Sequence, residues 1–333
     1  MKWKGGVFVK YLITGGAGFI GSNFIKYMLK KYPDDYFVCL DLLTYASSLD
    51  SLKDILNNDN FKFIHGDICD INLVDKLFSE EKFDFVINFA AESHVDRSYL
   101  YEELFYKTNV EGVKVLLDSS KKYSVKRFHQ VSTDEVYGTL NLNEDKSFTE
   151  DSPLEPTSPY SKSKAKADLL VLEYFNKYNL DVTISRSTNN FGMYQHPEKL
   201  IPKTIKTALN RENITLYGNG LNVRDWMYVI DHCRGIDLIL HNSKPGEIYN
   251  VGSNNEYSNI EIVHMILKYL NIKDFNIIYT PDRPLDDIRY ALDCSKIKEE
   301  LGWNLMYSFN ESFKNTVDWY KENIDWINEI LRK

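Results

Sequence analysis

The chain has 333 residues, 43% of them hydrophobic and 26% charged, with a formal net charge of −8. That length buries a sizeable core in one large domain or two lobes, and the acidic balance excludes nucleic acid as the main partner, because a phosphate backbone needs a basic face; a small phosphorylated ligand needs only a local basic pocket. No apolar run approaches the roughly 20 residues of a membrane span, and the dispersed Cys39, Cys69, Cys233 and Cys294 form no CxxC or Cys/His cluster, so no metal or redox motif is indicated and a reduced, cytoplasmic protein is expected.

No function is assigned to the first eight residues. Val7 to Ile13 is apolar and leads straight into Gly15-Gly16-Ala17-Gly18-Phe19-Ile20-Gly21, so the N-terminus reads as a strand and not as a signal peptide. A helical pattern, Ser22 to Lys31, follows. Strand, glycine turn and helix form the context in which such a motif signifies dinucleotide binding. Glycine permits the tight turn and lets the backbone approach the pyrophosphate, which sits at the positive helix N-terminus. The spacing is G-x-x-G-x-x-G, on Gly15, Gly18 and Gly21. Tyr36 to Leu40 reads as a second strand ending at Asp41. An acid about 20 residues past the motif suits bidentate bonding of the adenosine ribose. It repels a 2′-phosphate, so NAD is expected over NADP; the bland alternative is an ordinary strand-end aspartate.

Phe61 to Ile68 predicts a third strand ending in a turn, with Asp67 placed to meet an adenine. Phe83 to Phe89 is a nearly continuous apolar run, as suits a strand covered on both faces. It ends at Ala90-Ala91, small residues past which a cofactor fits. Glu92 to Arg97 is expected as a loop, and Glu111 to Tyr123 as an amphipathic helix preceded by Thr108-Asn109. Arg127 to Ser132 predicts a fifth strand, which delivers Thr133, Asp134 and Glu135 to its C-terminal end, where open α/β sheets bind ligands. A polar loop over 141–159 precedes a helix from Tyr160 to Tyr178, whose Tyr160 and Lys164 share one face at i, i+4. Val182 to Arg186 predicts a sixth strand, running into Ser187 to Gly192. This alternation argues for a Rossmann-type, doubly wound parallel sheet.

Beyond Gly192 the regularity is lost. Polar turns alternate with Lys199, Lys203, Arg224, Arg283 and Arg289, which reads as a smaller substrate lobe closing over the first. A helical pattern returns over Tyr228 to Asn242, so the lobes interleave. Residues 9–188 plus about 226–250 are expected to bind NAD, and about 189–225 plus 251–333 to form the substrate lobe. Phe309 to Leu331 is expected as one helix rich in aromatics.

A tyrosine and a lysine one helical turn apart, beside a bound nicotinamide, suggest hydride transfer from an alcohol. Phenol is a poor base at neutral pH, and a nearby ammonium and a positive nicotinamide favour its phenolate. Asp134-Glu135 alone reads as two solvated turn residues. Behind a glycine-rich βα unit, and ahead of Tyr160 and Lys164, the pair lies at the strand end where the nicotinamide is expected. Two close carboxyls in a shielded pocket disfavour double ionisation.

Gly15-x-x-Gly18-x-x-Gly21 with Tyr160-x-x-x-Lys164 resembles the extended short-chain dehydrogenase/reductase superfamily. Within it, Ala90 to Ser98, Ser132 to Gly138, Ser158 to Ser161, Pro197 to Pro202, Tyr217 to Gly220, Asn222 to Trp226, Asp282 to Pro284 and Arg289-Tyr290 resemble the nucleotide-sugar 4,6-dehydratases, above all those acting on dTDP-glucose. The resemblance spans about residue 9 to about 320. It implies oxidation at C4 with Tyr160 as base and Thr133 sharing the substrate hydroxyl, removal of the C5 proton by Glu135, protonation of the departing C6 hydroxyl by Asp134, and hydride return to C6. It implies a tightly held NAD, regenerated each turnover, contacted by Phe19, Ile20, Asp41, Leu42, Leu43, Thr44, Asp67, Ile68, Ala90, Ala91, Thr108, Tyr160, Lys164 and Asn190. It places Ser93, Thr133, Asn189, Lys199, Leu200, Tyr217, Arg224, Asn259, Arg283 and Tyr290 on the sugar nucleotide. A homodimer through the Glu111–Tyr123 and Tyr160–Tyr178 helices is implied too, as is a product feeding deoxysugar (for instance rhamnose) biosynthesis. One departure is Arg283-Pro284-Leu285-Asp286-Asp287, where dTDP-glucose enzymes usually read Arg-Pro-Gly-His-Asp; it leaves thymine and uracil both open. The rival readings are a UDP-sugar 4-epimerase or a decarboxylase, which need no acid pair, and a silent NAD-binding regulator, which needs no Tyr-Lys pair.

Overall fold

The computed structural model describes residues 8–282 and 287–332. Six apolar, β-branched runs become strands β1 (Lys10–Thr14), β2 (Tyr36–Asp41), β3 (Phe61–His65), β4 (Phe85–Asn88), β5 (Arg127–Thr133) and β6 (Val182–Ser187). The remaining strands are β7 (Asn189–Phe191), β8 (Ile214–Tyr217), β9 (Val223–Tyr228), β10 (Ile248–Val251), β11 (Glu256–Ser258) and β12 (Ile277–Thr280). The main sheet has seven strands in the order β10-β6-β5-β4-β1-β2-β3. Every pairing in it is parallel. Chain order reverses beside β1, which opens a crevice at the C-terminal ends of β1 and β4.

Helices cover both faces, so the strands carry apolar side chains on each side. Leu12, Val38, Val86, Phe128 and Val182 belong to one core cluster, with Phe78, Leu116 and Val171 from the helices. Tyr11, Ile13, Phe37 and Ile87 belong to the other, with Phe24, Met28 and Ile236. The late strand β10 completes the sheet beside β6. β11-β9-β7 and β12-β8 form separate small sheets around 189–280. No helix among the described residues is long and apolar enough to cross a membrane.

Three local expectations change. Glu92 to Arg97 is not all loop, because Val95–Leu100 is helical, with His94 Nδ1 accepting the Arg97 N–H at its start. The helix expected from Glu111 begins earlier, at Glu102, and passes through a wide turn over Lys107–Gly112 before Val113–Lys122. The wide turn points Asn109 inward, where its amide pairs with both backbone groups of Glu92 and donates to Ser163 Oγ. The C-terminal helix is two, Phe309–Glu322 and Ile324–Ile330, broken where the Asn323 amide bonds back to the Trp319 carbonyl.

Candidate active site

The glycine turn after β1 is shaped by close approach. Gly15 has φ +67°, and a β-carbon there would lie 2.5 Å from the Ala90 nitrogen at the end of β4. One on Gly21 would lie 2.5 Å from the Gly15 carbonyl oxygen. Gly18 begins the Phe19–Lys31 helix with no side-chain cap, so its first N–H groups face outward as an anion site does.

A cavity of about 550 Å³ opens over this turn. Gly15, Gly18, Phe19, Ile20, Gly21, Asp41, Leu42, Thr44, Asp67, Ile68, Ala90, Ala91, Thr108, Tyr160, Lys164 and Asn190 all line it. Leu43 does not. Its backbone is left-handed, at φ 54°, and its side chain packs on the core below. Asp41 is buried, and its carboxylate already accepts from Ala17 N–H at 2.9 Å, Leu43 N–H at 2.8 Å and Ser47 Oγ at 3.0 Å. Burial pushes its pKa up, and those bonds pull the other way.

The Pro159–Tyr178 helix starts with a capping box between Ser158 and Ser161 and with proline in its first turn. Its first two turns present Tyr160 and then Lys164 to the end of β5. Lys164 Nζ donates to the Val131 carbonyl at 2.7 Å, and burial pushes its pKa down to about 8. Burial pushes the Tyr160 phenol up, and Glu135 and Asp134 add to that, while a hydrogen bond with Thr133 opposes it.

Asp134 and Glu135 open a short 3₁₀ turn, Asp134–Tyr137, directly after β5. Asp134 is 2% exposed, accepts only a long Thr133 hydroxyl bond at 3.3 Å on Oδ1, and has no partner on Oδ2. Burial first, then Glu135 and Asp225, raise its pKa well above the usual carboxylate range. The turn is held from behind, where Tyr137 donates to Asn250 and accepts from Arg186, itself paired with Asp168 of the catalytic helix at 2.9 Å.

A second cavity of about 210 Å³ adjoins the first. Ser93, Asn189, Lys199, Leu200, Tyr217, Arg224, Asn259 and Tyr290 line it; Thr133 lines only the first. Glu135 lies on the walls of both. Arg283 lies outside the described residues. Sequence reasoning passed over Tyr45, Arg97, His196 and Glu198, which also line the larger cavity. Glu198 accepts from the Tyr45 hydroxyl at 3.2 Å and faces His94 Nε2 at 3.3 Å, and the Arg97 guanidinium stacks 3.9 Å from the Tyr45 ring. Glu198 stood inside a quoted motif and carried that much signal; Tyr45 carried none.

The cavity fits NAD. It has a backbone cradle that a β-carbon would fill, an uncapped helix start, and buried, unpartnered oxygens on Ser132, Thr188 and Asn189 at its wall. A doubly wound sheet with this turn and a Tyr-Lys helix defines an extended short-chain dehydrogenase/reductase, and it carries a buried Asp134 beside a half-buried Glu135 that borders both cavities. The chain belongs to the GDP-mannose 4,6 dehydratase family, whose model matches residues 12–316. It is 48% identical to the low-salt glycan biosynthesis protein Agl12 of Haloferax volcanii, over 93% of this chain and 97% of that one. It is 42% identical to the dTDP-glucose 4,6-dehydratase of Haemophilus influenzae, over 94% and 98%. The crystal structure of DesIV, the dTDP-glucose 4,6-dehydratase of Streptomyces venezuelae, with NAD bound, superposes with a TM-score of 0.93 at 43% identity, covering 97% of this chain and 100% of that one.

Proposed function

We propose that the chain converts dTDP-glucose to dTDP-4-keto-6-deoxyglucose and water. The carrying observation is the placement of Glu135 on both cavity walls, beside an Asp134 whose carboxyl pKa is pushed well above the usual range by burial. An epimerase or an NAD-binding regulator has no use for that pair.

The residues around Gly15, Asp41, Asp67 and Ala90 would hold NAD, which supplies the acceptor for the C4 hydride and gives it back at C6. The smaller cavity would take the sugar nucleotide, with Lys199 and Arg224 suited to its diphosphate. Tyr160 takes the proton of the C4 hydroxyl, with Thr133 sharing the hydrogen bond. The Lys164 ammonium favours the phenolate against the opposing carboxylates. A 4-keto group acidifies C5, and Glu135 removes that proton. Asp134 hands its proton to the departing C6 hydroxyl, so water leaves without a free hydroxide. Opposite protonation states on neighbouring carboxyls are what this step needs. Residues 9–188 with about 226–250 form the NAD part in this reading, and about 189–225 with 251–333 the sugar-nucleotide part. The enzyme works in the cytoplasm, in the making of a deoxysugar such as rhamnose.

We also propose a homodimer. The Glu111–Tyr123 segment presents Lys114, Asp118 and Lys121 outward and buries Val113, Leu116 and Leu117. Tyr99, Leu100, Tyr101, Leu104 and Tyr106, with Leu169 and Tyr178 of the catalytic helix, are exposed instead. Exposed apolar side chains gathered on neighbouring helices suit an interface.

Purified protein given dTDP-glucose is expected to release a 4-keto-6-deoxy product, identified by mass and by NMR. Glu135→Gln is expected to form bound NADH yet lose dehydration by at least ~100-fold. No product from dTDP-glucose or UDP-glucose overturns the reaction. Faster turnover of UDP-glucose reassigns the base, and parental dehydration by Glu135→Gln removes that residue as base.

A further inference from the structure

The Asp287 carboxylate is buried, 5% exposed, on the wall of the sugar-nucleotide cavity, yet it is spent on two protein groups. One is the Tyr290 hydroxyl, which donates to Oδ2. The other is the Thr157 hydroxyl, within 3.1 Å of both carboxylate oxygens. Thr157 immediately precedes Ser158, the cap of the catalytic helix, and stands three residues before Tyr160. The backbone of Asp287 is engaged as well. Its carbonyl accepts from Arg224 Nη2 at 2.8 Å, and the Arg224 guanidinium lies 4.6 Å from the Tyr290 ring. On the far side, Ile288 N–H donates to Thr139 Oγ1 at 2.7 Å and Leu140 N–H to the Arg289 carbonyl at 3.0 Å. Thr139 follows the acid-pair turn directly. Asp287 thus lies where the nucleotide-binding arginine, the chain leaving Asp134–Glu135 and the start of the Tyr160 helix converge.

We propose that Asp287 is a positioning residue that ties Arg224 and Tyr290, at the substrate cavity, to the N-terminus of the helix carrying Tyr160. The inference rests on the reaction assigned above. A ligand that draws on Arg224 or Tyr290 pulls on Asp287, and Asp287 holds the first turn of the catalytic helix through Thr157. Burial makes the link stiff, because a carboxylate with 5% exposure has few other partners. The geometry that depends on it is the approach of the Tyr160 oxygen to the C4 hydroxyl. The removal of the C5 proton depends on it less, since Glu135 is fixed by the β5 turn.

The test uses the full-length, NAD-loaded enzyme and dTDP-glucose carrying hydrogen or deuterium at C4. Asp287→Asn and Thr157→Val are each expected to lower kcat on the order of 10- to 100-fold, the scale of a small misplacement of reacting groups. Both are expected to raise the C4 isotope effect on kcat, because C–H cleavage at C4 becomes limiting. The double variant is expected to be no slower than the slower single one, as for two ends of one link. Thr157 is only half-buried, so Thr157→Val carries the test if Asp287→Asn does not fold. A raised KM at unchanged kcat overturns the proposal, making Asp287 a substrate contact alone. So does a fall in kcat that follows the folded fraction with an unchanged isotope effect, or multiplicative losses in the double variant. A parent enzyme inactive on dTDP-glucose and UDP-glucose removes the reaction and the proposal together, whereas failure of the variants on an active parent removes the proposal alone.

Discussion

Lys164 is a cation held where cations are disfavoured. It is fully enclosed, and its ammonium donates to a single named acceptor, the Val131 carbonyl. Its pKa falls to about 8, from burial, against about 10.4 for an unfolded lysine. The sign follows directly. Below both values lysine is protonated in either state, and the folded protein bears the whole cost of a buried charge. Between them the unfolded chain binds more protons than the native one, so this group's contribution to stability rises with pH across that window. Lys164→Met removes the charge and keeps the volume. It is expected to stabilise the fold by about 1 kcal/mol at neutral pH, because an apolar isostere replaces a desolvated ion, while eliminating turnover. Denaturant titrations from pH 7 to pH 10 should show the gap to the parent closing as pH rises. A variant less stable than the parent at pH 7 would mean that the Val131 bond outweighs desolvation. For catalysis the same titration sets an alkaline limb near pH 8, where the ammonium beside Tyr160 is lost.

At the scale of elements, the glycine turn and its neighbours show what a sequence discloses. Strands β1, β2 and β4 to β6 were legible as short runs buried on both faces, and the edge strand β3, with Lys62 and His65 exposed, as a short run ending in a glycine turn. The cofactor turn was legible because Gly15 has no substitute. Gly15→Ala forces a β-carbon to 2.5 Å from the Ala90 nitrogen and a left-handed backbone onto alanine. It is expected to cost roughly 2–4 kcal/mol and to abolish NAD retention, measured by thermal unfolding and by the NAD content of the purified protein; an unchanged content would mean that β4 yields at little cost. Other elements were illegible for a physical reason. The wide turn over Lys107–Gly112 has no local signature, since what it satisfies is the pairing of Asn109 with Glu92 and Ser163, residues far off in sequence. The helix at Val95–Leu100 depends on a histidine acting as cap, a choice outside the usual Ser/Thr/Asp/Asn set. Asp41 was read as a ribose ligand on spacing, but spacing could not reveal that its oxygens also brace the turn at Ala17. Tyr45 sits on the cavity wall against Glu198, His196 and Arg97, residues far off in sequence.

At the scale of the molecule, Tyr99, Leu100, Tyr101, Leu104 and Leu169 are exposed apolar positions on which the proposed dimer can be tested. Leu169 is 57% exposed and Leu100 74%, so both are accessible to a partner. The expected species is a dimer, and Leu169→Glu combined with Leu100→Glu is expected to give a folded monomer by sedimentation equilibrium. A parent that sediments as a monomer at micromolar concentration removes these positions as an interface. Neither substitution touches the cavities, so any loss of activity in the monomer reports on the assembly and not on the site.

The late strand β10 has a consequence for how the chain comes into being. β6 ends at Ser187, but its neighbour Ile248–Val251 is not synthesised until some sixty residues later, after three other strands have gone to different sheets. Until then a nascent chain emerging from the ribosome carries an NAD-binding sheet with one raw edge, a template for pairing with any other extended segment. The interval supplies Lys199, Leu200, Tyr217 and Arg224 of the sugar-nucleotide cavity, and Asn259, Asp287 and Tyr290 follow β10. The sheet is therefore sealed only after most of the substrate-binding segments have been made, and pairing of such long sequence separation is slow. The two halves of the chemistry mature together, and no stretch of the chain ending before β10 is expected to persist as a free-standing NAD-binding protein.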